Sequence, residues 1–219
     1  MITFEQIMHD KDIRTYVENA DKSLSALGYT EHSFAHVTKV ATVAGDILDT
    51  LGYDTRTVEL AKIAGFLHDI GNIVNRVDHS QSGAILAFRI LDKLGMPSDE
   101  ISIIVSAIGN HDEGTGVPVN AVAAALILAD KSDVRRSRVR SKLPNKNDIH
   151  DSVNYSVTDS RLTVDSDRSV ANLELTIDNS YSSVMDYFEI FLGRMLLCKK
   201  AAEKLGLLFK LNINGQDLL

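Results

Sequence analysis

Apolar residues recur at three- and four-residue steps over the first two-thirds of the chain. Val37, Val40, Ala41, Ala44, Ile47, Leu48 and Leu51 fall on one face of a helix, and Gly52 follows as a stop signal. Val58, Leu60, Ala61, Ile63, Ala64 and Leu67 predict a second helix. A third runs from about Ser80 to Leu94 and stops at Gly95. Pro97-Ser98-Asp99-Glu100 has the make-up of a helix start, and Ile101, Ile104, Val105 and Ile108 continue it. The stretch from Asn120 to Asp130 is Ala-rich and almost wholly apolar, which predicts a central helix buried on most sides.

The texture changes after about Lys142. Pro144-Asn145-Lys146-Asn147 reads as a loop or linker. Val153 to Val157, Arg161 to Val164 and Val170 to Ile177 are rich in Val, Thr, Leu and Tyr, and the pairs Asp159-Ser160 and Asp165-Ser166 punctuate them. That pattern predicts a small antiparallel β meander. Ser182 to Leu205 returns to helical period, and Leu207 to Asn212 reads as a last short strand. The expected architecture is mainly α. Residues 1–142 form a helical domain, and residues 143–219 add the β meander and a C-terminal helix packed on the first part.

Composition adds bounds. A chain of 219 residues, 44% apolar and 24% charged, suits a soluble globular protein with one full core. A net charge of -7 argues against general nucleic-acid binding, because a polyanion is repelled at long range. The single cysteine, Cys198, cannot make an internal disulfide and fits a reducing cytoplasm. Met1-Ile2-Thr3-Phe4-Glu5 lacks a signal-peptide pattern, and no apolar stretch approaches the roughly 20 residues that span a bilayer. The expected location is cytoplasmic, away from membranes. The apolar face of the C-terminal helix suggests a homodimer.

The chemistry centres on His68-Asp69, which ends the apolar run Ile63-Ala64-Gly65-Phe66-Leu67. An imidazole and a carboxylate side by side can serve one metal ion or bridge two. His36 precedes the pair, and His79, His111 and Asp130 follow it. All six fall at the ends of predicted helices, where a bundle commonly builds a metal pocket. Nitrogen and oxygen donors without thiolate point to a divalent transition metal. Gly71, two residues after the pair, is expected to let the backbone turn away.

In this order the six residues resemble the HD-domain superfamily of metal-dependent phosphohydrolases. Glu31-His32-Ser33-Phe34-Ala35-His36-Val37 is similar to the family's first-histidine helix, and Leu67-His68-Asp69-Ile70-Gly71 to its central motif. His79 with Gly83-Ala84 is similar to its His-then-Gly helix start, and Ala129-Asp130-Lys131-Ser132-Asp133 to its final aspartate motif. The likeness spans about residues 28–140. It implies an HD-domain helical bundle with two divalent metal ions, Fe or Mn, with Zn as the alternative. His36, His68, Asp69 and Asp130 would hold one ion, and His79 and His111 the other, with Asp69 bridging. The implied activity is hydrolysis of a phosphomonoester or phosphodiester, of nucleotide type, by a metal-bridging hydroxide. The partner is then a small phosphorylated substrate. Rival readings are a di-iron oxygenase and a regulatory or dimerising module without turnover.

Departures narrow the choice. Asn72 stands where HD-GYP relatives carry Lys, and Gly114-Thr115-Gly116-Val117-Pro118 replaces their Gly-Tyr-Pro signature. Ile70-Gly71-Asn72-Ile73 lacks the acidic residues of alarmone hydrolases. Several neighbours have two readings. His32, one turn before His36, either contacts phosphate or marks a helix entrance. Lys131 either meets a substrate oxygen or complements its helix C-terminus. Asp112 either accepts a proton, holds a ligand histidine through its second nitrogen, or is a solvated loop carboxylate. In the basic run Arg135, Arg136, Arg138, Arg140, Lys142 and Lys146, the first two are the foremost candidates to draw in an anionic nucleotide; otherwise the run is a solvated face. The catalytic set is therefore His68, Asp69, Asp112 and Lys131.

Overall fold

The computed structural model describes residues 1–140 and 149–219. Seven helices come first: α1 (Phe4–His9), α2 (Lys11–Ala26), α3 (Phe34–Thr50), α4 (Thr55–Leu67), α5 (His79–Lys93), α6 (Ser98–Gly109) and α7 (Ala121–Ser132). Short 3₁₀ turns follow α4 at Ile70–Ile73 and α7 at Arg136–Arg138. The remainder is α8 (Ile149–Ser156), β1 (Val157–Asp165), β2 (Val170–Ile177), α9 (Val184–Lys204), β3 (Leu208–Ile213) and β4 (Gln216–Asp217). Among the described residues no helix is long and apolar enough to cross a membrane.

Local chemistry starts and stops these helices where the pattern predicts. The Ser33 side chain accepts from Ala35 N, the Asp54 side chain from Arg56 N and Thr57 N, and the Asn120 side chain from Ala123 N. Gly52 and Gly95 follow α3 and α5 at positive φ. Every residue of α7 from Val122 to Ser132 is buried, so it is the central helix the sequence predicts. It packs against α3, α4, α6 and α9. Asp130 is thereby carried into the middle of the molecule.

Three expectations for the second part are corrected. Val153 to Ser156 is helical, forming the end of α8 rather than a first strand. Val153 is fully buried there, and Arg136 Nε donates to Tyr155 O at 2.6 Å, satisfying a carbonyl that the helix end leaves open. Asp159-Ser160 is no turn; it lies inside β1, where the register shifts between Val157 and Asp159. The sheet, in order β1-β2-β3-β4, is not a simple meander. β1 and β2 are antiparallel, but β3 lies parallel to β2, with α9 as the crossover between them. Burial alternates along β2, with Ala171, Leu173, Leu175 and Ile177 on the buried face.

Tyr187, Phe191, Met195 and Cys198 anchor α9 in the same contiguous core as α3, α4 and α7. Burial pushes the Cys198 thiol up to about 12, so it acts as a small hydrophobe. The Pro144–Asn147 loop, Lys142, Lys146 and the expected boundary at 142/143 lie outside the described residues.

Candidate metal centre

Helix ends bring all six predicted ligands together. His36 is in the first turn of α3, His68 caps α4, Asp69 opens the 3₁₀ turn, His79 starts α5, His111 follows α6, and Asp130 is in the last turn of α7. All six are buried. His36 Nε2 lies 3.6 Å from Asp69 Oδ2 and 3.4 Å from Asp130 Oδ1. His68 Nε2 lies 3.1 Å and 3.7 Å from the same two atoms. Such spacings suit donors around one ion with bonds of about 2.0–2.2 Å. Asp69 turns its other oxygen, Oδ1, toward His79 Nε2 at 3.5 Å, and His79 Nε2 is 3.2 Å from His111 Nε2. The donor atoms of His68, Asp69 and His111 lie within 4.8 Å of one another, so the two clusters adjoin.

The second nitrogen of each ring is spoken for. Nδ1 of His68 bonds to Gly65 O at 2.8 Å, that of His111 to Ile108 O at 2.6 Å, and that of His79 to Arg76 O at 3.1 Å. A carbonyl can only accept, so each Nδ1 carries a proton and Nε2 is the ring atom left to meet a metal ion at the centre. Nε2 of His36 and of His68 is buried with no hydrogen-bond partner among the described residues. Leaving such an atom unsatisfied costs about 1–3 kcal/mol. A divalent metal ion satisfies both at once, and the donor set fits one.

His36 is held differently, by a residue to which the sequence pattern assigns no role. Its Nδ1 is 2.8 Å from Asp133 Oδ2, while Asp133 Oδ1 accepts from Lys39 Nζ at 2.8 Å and Arg135 Nε at 2.9 Å. The available signal was the spacing, since Asp133 follows Asp130 by one helical turn. Asp133→Asn keeps an acceptor but removes the charge that makes the imidazole a stronger ligand. We expect metal affinity to fall about 10–100-fold with the fold intact. A metal titration followed by circular dichroism checks this, and unchanged affinity would remove Asp133 from the centre.

The electrostatics favour positive charge here. Burial opposes ionisation of Asp69 and Asp130, yet His68 with His36 holds Asp69, and Lys131 with His36 and His68 holds Asp130, well below the usual carboxylate range. Burial likewise opposes charge on His68, but the two carboxylates raise it to about 10. Burial, with His68 and Lys131 beside it, pushes His111 down to about 3. A proton on His68 and a metal ion therefore compete for the same negative charge.

The neighbours sort themselves by place. The His32 ring bonds to Thr30 O at 2.8 Å through Nδ1, and its Nε2 lies 3.9 Å from Asp69 Oδ2. Lys131 Nζ is pinned between Asp130 Oδ2 at 2.8 Å and Glu113 Oε2 at 3.1 Å. Asp112 Oδ1 is 3.9 Å from His79 Nε2 and does not hold a ligand histidine through its second nitrogen, because main-chain carbonyls already do. Arg135 and Arg136 do not reach the centre. They bind Asp133, Tyr155 O and Asp178, and with Lys39 they line a separate depression of about 340 Å³. Arg138 turns inward in their stead.

A cavity of about 580 Å³ opens over the side chains of Asp69, His79, His111 and Asp130. His32 and Lys131 also line it, as do Tyr29, Arg76, Glu113 and Arg194, to which the sequence pattern assigns no role. Arg138 completes the cationic wall. Along α9, Ile190, Phe191 and Gly193 face the same space.

A family model described as HD domain matches residues 33–145. Ribonuclease Y of Sulfurimonas denitrificans is 31% identical over 147 residues, which are 64% of this chain and 27% of that protein. Ribonuclease Y of Lawsonia intracellularis is 37% identical over 107 residues, 48% of this chain and 18% of that one. The chain thus spans about a quarter or less of the length of these relatives. An uncharacterized protein of Methanocaldococcus jannaschii is 24% identical over 170 residues, 67% of this chain and 65% of its own. A solved structure of a predicted HD superfamily hydrolase from an uncultured Thermotogales bacterium is 26% identical, with a TM-score of 0.47 over 60% of this chain and 71% of that one. The matched stretch contains all six converging side chains, and the chain belongs to the HD domain family.

Proposed function

We propose that this protein is a metal-dependent phosphohydrolase cleaving a phosphomonoester or phosphodiester of nucleotide type. The observation that carries this reading is the placement of Asp69, whose two oxygens face two adjoining donor clusters. His36, His68, Asp69 and Asp130 would hold one divalent ion. His79, His111 and the shared Asp69 would hold a second, with Fe or Mn favoured and Zn the alternative. Bound there, such ions supply a lowered pKa for water and polarisation of a phosphoryl oxygen.

The chain's own side chains supply the rest. Lys131, buried against Asp130, places a fixed positive charge beside the scissile phosphate. Asp112, partly exposed and near His79, accepts the proton released on hydrolysis. His32 is kept uncharged, chiefly by burial and then by Arg138; with Nδ1 given to Thr30 O, its Nε2 accepts from a water near Asp69. Arg76, Arg138 and Arg194 attract an anion into the cavity despite the chain's net charge of -7. The volume, about 580 Å³, is that of a small-molecule site.

The test is an assay of purified protein, reconstituted with Mn or Fe, against p-nitrophenyl phosphate, its bis-ester and a nucleotide panel. Hydrolysis that chelation abolishes and metal restores is the expected result; no turnover with any metal would overturn the reading. Gly193 offers a check on the cavity itself. Gly193 lines the cavity and a Cβ there would meet nothing within 4 Å, so Gly193→Leu is expected to fill part of that space. It also replaces a poor helix former, a gain of about 1 kcal/mol. We expect metal content unchanged, Tm equal or higher, and KM for a nucleotide substrate raised about tenfold or more, or by about 1.4 kcal/mol. An unchanged KM would put the substrate elsewhere.

A further inference from the structure

A relay of charges leads away from the metal centre. Asp130 Oδ2 meets Lys131 Nζ at 2.8 Å, Lys131 Nζ meets Glu113 Oε2 at 3.1 Å, and Glu113 Oε1 accepts from Arg194 Nε at 2.7 Å. Arg194 therefore stands one cation further out than Lys131. It belongs to α9, beyond the stretch matched by the family model. Its guanidinium is fixed on two sides, by Glu113 and by the Phe191 ring, whose centroid is 4.1 Å away. Only Nε is used for this; both Nη nitrogens are without a hydrogen-bond partner among the described residues. Arg138 is similar. It is 6% exposed, gives Nε to Glu31 O at 2.9 Å and Nη1 to Asp133 O at 2.7 Å, and leaves Nη2 without a partner among the described residues. Both side chains line the cavity. A guanidinium is always charged and presents its nitrogens as a rigid fork suited to phosphate.

The charge balance points the same way. Four cations (Arg76, Lys131, Arg138, Arg194) and four carboxylates (Asp69, Glu113, Asp130, Asp151) line the cavity, so the side chains alone cancel. Whatever charge divalent ions bring is then left for the ligand to neutralise. A single phosphate dianion matches one such ion, not two.

We propose that Arg194 and Arg138 form a second phosphate subsite on the α9 side of the cavity. The ligand is then an organic molecule with at least two phosphate groups, one over Asp69 and another on the arginines. The assignment of the phosphate over Asp69 as the scissile one rests on the phosphohydrolase reading; the subsite itself does not.

The experiment uses ligands that cannot be hydrolysed. The full chain, in buffer saturated with Mn, is titrated calorimetrically with methylphosphonate and with methylenediphosphonate. Metal content is measured before and after. We expect methylenediphosphonate to bind at least tenfold tighter. Arg194→Gln is expected to cut that advantage below threefold while methylphosphonate changes less than twofold. Arg194→Lys, which keeps the charge but loses the fork, is expected to recover part of it. Thermal unfolding of each variant shows whether the fold survives, and if Arg194→Gln unfolds, Arg194→Lys carries the comparison. Equal affinity for the two ligands in the unaltered protein would overturn the subsite. So would an equal loss for both in the variant, because Arg194 would then only anchor α9 to Glu113. No turnover enters the measurement, so a protein that hydrolyses nothing would end the hydrolase reading and leave this result standing.

Discussion

Asp69→Ala is expected to lower phosphate-ester hydrolysis at least ~10³-fold, about 4 kcal/mol of transition-state stabilisation. The reason is geometric. Of the six converging side chains, Asp69 alone has an oxygen facing each cluster, with Oδ2 3.1 Å from His68 Nε2 and Oδ1 3.5 Å from His79 Nε2. Truncation removes a donor from both and leaves four imidazoles with Asp130 as the sole carboxylate among the six. Metal content should fall with activity. The fold should survive, because the carboxylate does little packing. Asn72 Nδ2 loses its bond to Asp69 Oδ1 but keeps the one to Asp69 O, each 2.9 Å. Metal analysis, circular dichroism and kcat on the best substrate of the panel measure all three. Full activity with normal metal content would sink the proposed mechanism.

What could be read from the sequence, and what could not, divides by the range of the interactions involved. The helices α3 to α7 announce themselves because their signals are local: an apolar stripe, a capping side chain, a glycine after the last turn. The six candidate ligands are legible for the same reason, since each lies where a predicted helix begins or ends. By contrast, Val153 to Ser156 has strand-like residues, and its helical state depends on burial and on Arg136 reaching back to Tyr155 O from 19 residues away. Nothing in a window around Val153 contains that bond. The parallel pairing of β2 with β3 depends on α9 packing against the helical core, which is a property of the assembled fold.

The arginines show the same limit more sharply. Arg135, Arg136 and Arg138 are chemically equal in the sequence, and the local path of a three-residue 3₁₀ turn decides which one enters the cavity. Arg138 does, while Arg135 and Arg136 tie the turn to Asp133 and Asp178. Arg194 lies 81 positions from Glu113, its partner at 2.7 Å, and sits in a helix whose apolar periodicity gives no hint of a site. The candidate ligands are encoded in short motifs, whereas the cavity wall is assembled from segments that meet only after folding. This is why the sequence speaks more clearly about the metal chemistry than about the substrate.

Gly71→Ala is expected to destabilise the protein by at least ~3 kcal/mol, seen as a fall in Tm of about 6–12 °C. From the sequence Gly71 is expected to let the backbone turn, but it is not among the glycines at positive φ. Its requirement is close approach. A Cβ at Gly71 would lie 1.9 Å from His79 O and 2.4 Å from Gly83 N. Both atoms are backbone, so no rotamer change relieves the clash. Overpacking that side chains can absorb costs roughly 1–3 kcal/mol; here the whole first turn of α5 must withdraw from the 3₁₀ turn. His79 is the first residue of that helix, so the withdrawal pulls its Nε2 away from Asp69 Oδ1 and His111 Nε2. Affinity at the His79–His111 cluster should therefore weaken more than at the His36–His68 cluster, which sits on α3 and the end of α4. Calorimetric unfolding and a two-stage metal titration read the two effects separately. An alanine variant with unchanged Tm and unchanged metal binding would show that α5 does not need the bare backbone at position 71. A variant that is destabilised but binds metal normally at both clusters would show that the close contact serves the fold alone.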